Sequence, residues 1–110
     1  MSRDDPQVRL NHMLEYAREA VGLMRNRTRA DLEKDRALGL AIIRCLEIVG
    51  EAASRVPEPI QKSHPGVPWA QIIGMRNRLV HGYDLVDYDI IWSTITEDLP
   101  PLIAQLEKAL

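Results

Sequence analysis

The chain has 110 residues, 45% of them hydrophobic and 27% charged, which suffices for one core and one domain, residues 1–110, yet leaves apolar surface that a second copy would help to bury. Its net charge of −2 excludes a general nucleic-acid coat, because such proteins need a positive excess to displace counterions from the phosphate backbone, so any RNA contact has to be local. The single cysteine, Cys45, excludes an internal disulfide and sits at an apolar helical position, where a buried, reduced thiol is expected. No apolar run follows the first residues and nowhere do about 18 apolar residues occur in succession, so a cytoplasmic chain that does not enter the membrane is expected.

Asp5-Pro6 has the form of a helix start, an N-cap acceptor followed by a proline whose missing N–H is no loss at the first helical position. Leu10, Leu14, Ala17, Val21 and Met24 then recur at spacings of four, three, four and three, which predicts one buried face on a first helix running to about Arg27. Arg25, Arg27 and Arg29 follow; they fit either the negative end of the helix dipole or a local RNA patch. Thr28-Arg29-Ala30-Asp31 has the form of a capping box and opens a second, longer helix with Leu38, Ile42, Cys45, Val49, Ala52 and Val56 on its apolar face. Beside that face Arg44, Glu47, Glu51 and Arg55 form one charged stripe. Glu47 and Glu51 repel at i, i+4, with an Arg within a turn of each to offset this. Two readings of the stripe stand: a solvated face, or one wall of a functional cleft.

Four of the seven prolines fall between residues 57 and 68, which predicts a connector with at most a short helical turn and His64 as a solvated loop residue. Pro68 starts a third helix with Trp69, Ile72, Ile73, Leu79 and Val80 buried and Arg76, Asn77 and Arg78 on the polar side. Gly82 is expected to end it. A short turn, 83–86, leads to Asp87 as an N-cap. Ile91, Ile95, Leu99, Leu102, Leu106 and Leu110 keep helical phase to the end, with a kink or restart expected at Pro100-Pro101, which lack two backbone donors. Four helices of alternating direction make an all-α, up-and-down four-helix bundle.

The chemistry concentrates between Met75 and Asp84. On one continuous helix Arg76 and His81 would stand about 140° apart, and Asn77, four residues before His81, would share the histidine's face. An Arg, an Asn and a His beside a Tyr suit a phosphodiester: the guanidinium holds phosphate oxygens bidentately, the imidazole moves a proton near neutral pH, and the amide orients either. A His in a last helical turn can equally do no more than complement the dipole. Other chemistries lack their patterns. His12, His64 and His81 show no metal-binding spacing, and there is no Gly-rich phosphate loop and no nucleophile elbow at Ser2, Ser54, Ser63 or Ser93. What the residues permit is attack by the 2′-hydroxyl of RNA itself, without metal or cofactor, which needs a base, an acid and a cation. One chain offers one well-placed His and one Arg; a two-fold dimer would offer two of each.

The string Arg76-Asn77-Arg78-Leu79-Val80-His81-Gly82-Tyr83 resembles the R-x4-H-x-Y motif of HepT-like proteins in the HEPN superfamily, from which it does not depart. Pro68-Trp69 with Ile72-Ile73-Gly74-Met75, the segment Leu46 to Ala53, and Asp98-Leu99-Pro100-Pro101-Leu102 resemble that family too, so the likeness covers nearly the whole chain. The resemblance implies a homodimer with the motif lining a shared cleft, and an endoribonuclease toxin of a toxin–antitoxin pair. It further implies an antitoxin that is a minimal, ATP-using nucleotidyltransferase able to adenylylate the motif tyrosine. By that resemblance Arg76 and His81 would be catalytic, Asn77 their support and Tyr83 the modified residue; on the cleft reading of the charged faces, Arg44, Glu47, Glu51 and Arg78 would be further cleft support. HEPN domains of a second kind are non-catalytic helical dimers that bind a nucleotide or a nucleotidyltransferase partner, and composition does not separate the two.

Overall fold

The computed structural model describes residues 5–81 and 85–110, and for Arg76, Val80 and His81 the backbone alone; the expectations for Gly82, Tyr83 and Asp84 lie outside the described residues. The chain is all-α. Helix α1 (Pro6–Leu23) opens where expected, with the Asp5 carboxylate accepting from the Gln7 N–H at 2.8 Å. It ends earlier than the predicted Arg27. Asn26 takes φ 62°, a left-handed conformation that Asn tolerates better than most residues and that no helix can continue through.

The capping box is formed: Asp31 N–H donates to Thr28 Oγ1 at 3.2 Å and Thr28 N–H donates to Asp31 Oδ2 at 2.8 Å. That backbone N–H holds the Asp31 carboxyl below its ordinary range. The helix it opens is short. Asp35, at φ −93° and ψ 95°, closes α2 (Arg29–Lys34) and caps α3 (Arg36–Ser54) by accepting from Leu38 N–H, so the single long helix expected here is two. Arg29 joins this corner to the far end of the chain, with Nε 2.6 Å from Asp89 and Nη1 3.0 Å from Glu33, and Arg27 pairs with Asp35 at 3.6 Å. Two of the three clustered arginines are therefore engaged in ion pairs within the fold.

Helix α3 packs along α1 and against the two short helices that stand in place of the predicted third helix. Every residue assigned to its apolar face is buried, and burial raises the Cys45 thiol above its usual pKa. The proline-rich connector holds a six-residue helix, α4 (Glu58–Ser63), with Pro59 in its first turn. Gln61 Nε2 bonds the Val56 carbonyl at 2.9 Å and Trp69 Nε1 bonds that of His64 at 3.1 Å, fixing both ends. His64 caps α4 and is half-buried rather than fully solvated.

The predicted third helix is divided. Helix α5 (Trp69–Ile73) stops at Gly74 and α6 (Met75–Leu79) begins a fresh turn. Trp69, Ile72 and Leu79 are buried as expected, Met75 joins them, and Ile73 is 39% exposed instead of buried. Two-residue strands β1 (Val80–His81) and β2 (Leu85–Val86) then pair antiparallel, Val80 opposite Val86 and His81 opposite Leu85. Asp87 caps α7 (Tyr88–Ser93) by accepting from Ile90 N–H at 3.1 Å. From Thr94 to Asp98 the helix widens to π geometry, with Leu99 N–H donating to the Thr94 carbonyl, and α8 (Leu99–Ala109) restarts with both prolines in its first turn. The prolines lack the N–H groups that would bond back one turn, and their rings crowd the carbonyls there, so the turn before them opens. The apolar stripe from Ile91 to Leu106 stays buried across the change, while Leu110 is 41% exposed. Among the described residues no helix is long and apolar enough to cross a membrane.

Gly50 sets how closely α3 approaches α5: a Cβ there would lie 3.0 Å from the Ile72 carbonyl oxygen. Gly50→Ala gains up to about 1 kcal/mol in helix propensity, but overpacking against backbone costs about 1–3 kcal/mol. The expected outcome is a net loss of stability, read as a lowered midpoint in urea unfolding with an unchanged slope; a raised midpoint would show that the approach is not tight.

Candidate active site

The motif backbone is held from two sides. Met75 and Leu79, both buried, fasten α6 into the core, where it packs on α3 and α7. Beyond Leu79 the chain leaves the helix: the Leu79 carbonyl accepts from Asp87 N–H at 2.8 Å, and the ladder with Leu85-Val86 keeps Val80-His81 extended. His81 is thus on a strand and not in a last helical turn, which corrects the expected 140° relation to Arg76 and the shared helical face with Asn77. It also removes the dipole reading of His81. Physically, β-branched Val80 suits an extended backbone, and β2 supplies the backbone partners that a further helical turn would have had to replace.

The change of backbone lengthens the reach of the motif. Five helical residues rise roughly 7.5 Å, whereas three helical and two extended ones span roughly 11 Å. Asn77 is exposed on α6. Arg78, two residues from Arg76 and so about 200° around α6, is half-buried and lines a cavity of about 250 Å³ together with residues of α5, the π segment and α8. Among the charged stripe of α3, Glu47 and Glu51 with Gly50 and Ser54 line a small groove of about 110 Å³ closed by Ile73. The two carboxylates of the stripe therefore face α5, the helix that leads into the motif. Glu51 accepts from Arg55 Nε at 3.2 Å, Glu47 is half-buried, and Arg44 is exposed one turn earlier. Tyr83 lies outside the described residues. Among the described residues no three His, Cys, Asp or Glu side chains converge as metal ligands do.

Two carboxylates near the motif escape sequence reasoning. Glu97 and Asp98 line the Arg78 cavity from the π segment, a placement that an α-helical count through residues 94–98 does not give. The available signal was Pro100-Pro101, which forces the preceding turn to adapt.

Comparison with known proteins gives the family. The family model described as "Ribonuclease HepT-like" matches residues 13–109. The chain is 37% identical over 105 residues to "Putative RNase TTE0752" of Caldanaerobacter subterraneus subsp. tengcongensis, covering 96% of this chain and 94% of that protein. It is 38% identical over 99 residues to "Probable ribonuclease HepT" of Thermococcus cleftensis, covering 86% and 90%. Against "Putative RNase MJ1216" of Methanocaldococcus jannaschii it is 32% identical over 108 residues, covering 98% and 89%. No solved structure matches it. With a model spanning residues 13–109 and relatives aligned along nearly their whole length, the chain belongs to the HepT-like ribonuclease family.

Proposed function

We propose that the protein is a metal-independent endoribonuclease, the toxin of a toxin–antitoxin pair, that cleaves RNA by attack of the 2′-hydroxyl on the adjacent phosphodiester. The observation that carries this is the R-x4-H-x-Y motif at Arg76, His81 and Tyr83 within a chain of the HepT-like family. Arg76 neutralises charge on phosphorus, His81 transfers protons, and Asn77 orients them. Four bundle members, α1, α3, α5 with α6, and α7 with α8, make the unit, and two units form a homodimer whose motifs share one cleft. The exposed apolar side chains Ile73 and Leu85, which flank the motif in sequence, support a contact there, because water-facing apolar groups beside a site mark surfaces that a partner covers. The length of the motif path supports it as well: a base and an acid on opposite sides of one phosphate come more readily from two copies than from one. A minimal nucleotidyltransferase antitoxin adenylylates Tyr83, in the cytoplasm where both are made.

The purified protein is expected to scatter light as roughly twice the 12.5 kDa chain mass, to cleave RNA in the presence of EDTA, and to leave 2′,3′-cyclic phosphate ends. A monomer that cleaves RNA would overturn the shared cleft. Activity abolished by chelation and restored by added metal would overturn the mechanism.

A further inference from the structure

At the end of α1, where it meets the π segment, lies a groove of about 330 Å³ that the proposed cleavage chemistry does not employ. Val21 and Met24 from the α1 side and Ile95 and Pro100 from the other give it apolar walls. Among the described residues the one charged residue lining it is Arg25. Arg25 is exposed and, among the described residues, enters no ion pair, whereas its neighbours in the cluster, Arg27 and Arg29, are held by Asp35, Glu33 and Asp89. The end of α1 makes no use of its side chain either: the Val21 and Gly22 carbonyls accept from the backbone N–H groups of Met24 and Arg25, at 3.2 Å each. Trp92 lines the groove as well. The two tryptophans of the protein are employed differently. Trp69 is buried and donates its indole N–H to the His64 carbonyl. Trp92 is half-buried against the core; its indole N–H has no partner among the described residues and is not among the buried unpartnered atoms, so it reaches water.

The backbone sorts the charges of this region. Ile95, Thr96 and Pro100 line the groove, while Glu97 and Asp98 line the cavity beside Arg78, and the two spaces share no residue. An anion entering the groove meets a guanidinium and no carboxylate on its walls. A bare anion would make no use of the apolar walls and the tryptophan, and an apolar ligand would make no use of the arginine. A nucleotide employs both: its flat base offers a π-face to an indole, and its phosphate accepts from a guanidinium. Unpaired bases of single-stranded RNA are held in this way. At about 330 Å³ the groove is at the low end of the roughly 300–1,000 Å³ of ligand sites, room for one base with its phosphates left toward water. We propose that the groove is a stacking site for one unpaired nucleotide of RNA, with Trp92 against the base and Arg25 on an adjoining phosphate. The site is indifferent to sequence, because every base has a π-face. It is also a local contact, the kind that a chain of net charge −2 can make with RNA. The binding chemistry stands by itself; its use, holding the strand while the motif cuts it, rests on the ribonuclease reading.

The test uses a single-stranded 2′-O-methyl RNA oligonucleotide, which lacks the attacking hydroxyl, so that binding is measured apart from cleavage. Binding to the purified protein is followed by tryptophan fluorescence and by polarisation of an end-labelled copy. Because Trp69 is buried, quenching is expected to come from Trp92. Trp92→Phe should bind with nearly the wild-type affinity and lose most of the quenching, whereas Trp92→Leu should bind about 5-fold or more weakly, having lost one base–aromatic stack. Arg25→Gln, at an exposed position, should bind several-fold more weakly, with a slope of log affinity against log salt smaller by about 0.7, as for one phosphate contact on a single strand. In cleavage of unmodified RNA the same variant is expected to raise KM with little effect on kcat. Should Trp92→Leu fail to fold, the wild-type quenching and Arg25→Gln decide. No binding, or binding without quenching that Arg25→Gln does not weaken, would overturn the site, and RNA still cleaved would leave the ribonuclease reading intact. Quenching and weakening as expected with no RNA cleaved would uphold the site and sink the ribonuclease reading. An oligoglutamate peptide of equal charge that displaces the oligonucleotide at equal concentration would overturn the RNA assignment in favour of an acidic protein segment.

Discussion

Replacing Arg76 or His81 by alanine is expected to lower RNA cleavage by about 10²-fold or more, since each would remove a contact that strengthens only as charge and protons shift in the transition state. Arg76→Lys is expected to fall nearly as far, because an ammonium keeps the charge and loses the planar fork that holds two phosphate oxygens. The double alanine variant should be scarcely worse than either single one, as happens when groups act as a unit. Gel analysis of a labelled RNA gives the rates, and far-UV circular dichroism with thermal melting shows whether the variants fold. Two folded variants that cleave at wild-type rate would remove Arg76 and His81 from the site, whatever the family.

Treatment with a nucleotidyltransferase antitoxin and ATP is expected to silence cleavage of the wild type almost completely, with a mass increase of one or more AMP units at Tyr83. On the proposed reading an added adenylyl group would bring bulk and a negative phosphate into the neighbourhood of Arg76, where it would compete with RNA for the guanidinium and repel the substrate's phosphates. Tyr83→Phe should retain much of the activity and escape silencing, since only the hydroxyl is lost. Intact-mass spectrometry alongside the cleavage assay reads both effects. Inactivation of the wild type without a mass increase, or equal inactivation of the Phe variant, would make occlusion of the cleft the better account.

The helical content and most of the core were legible because they depend on local periodicity. Asp5, the Thr28–Asp31 box and Asp87 cap helices as their sequence neighbourhoods imply, and the apolar stripes of α3 and of residues 91–106 are buried. The breaks were less legible. Asp35 reads as an ordinary polar residue within a helix until its side chain is seen capping Leu38 N–H, and nothing in Leu79-Val80-His81 announces that a ladder with Leu85-Val86 will win over one more helical turn. That choice is made by tertiary pairing, to which single-sequence reasoning is blind. The candidate site was legible as residue types, Arg, Asn and His in one stretch, but its backbone was not. Arg78 shows the same limit: spacing places it on a polar face, and only the fold shows it lining a cavity with Glu97 and Asp98.

Division of the third helix at Gly74 leaves Arg76 on a five-residue helix, α6, entered through another of five residues, α5, both far below the roughly 12–15 residues at which an isolated helix sustains itself in water. Their order is borrowed from α3, through Met75, Leu79 and the close approach at Gly50. Such a segment can open by itself while the long helices stay closed. On the ribonuclease reading proposed above, catalytic competence and the integrity of the fold then become separate quantities: warming or mild denaturant is expected to switch the motif off before the long helices unravel, and its reversal to restore activity without refolding.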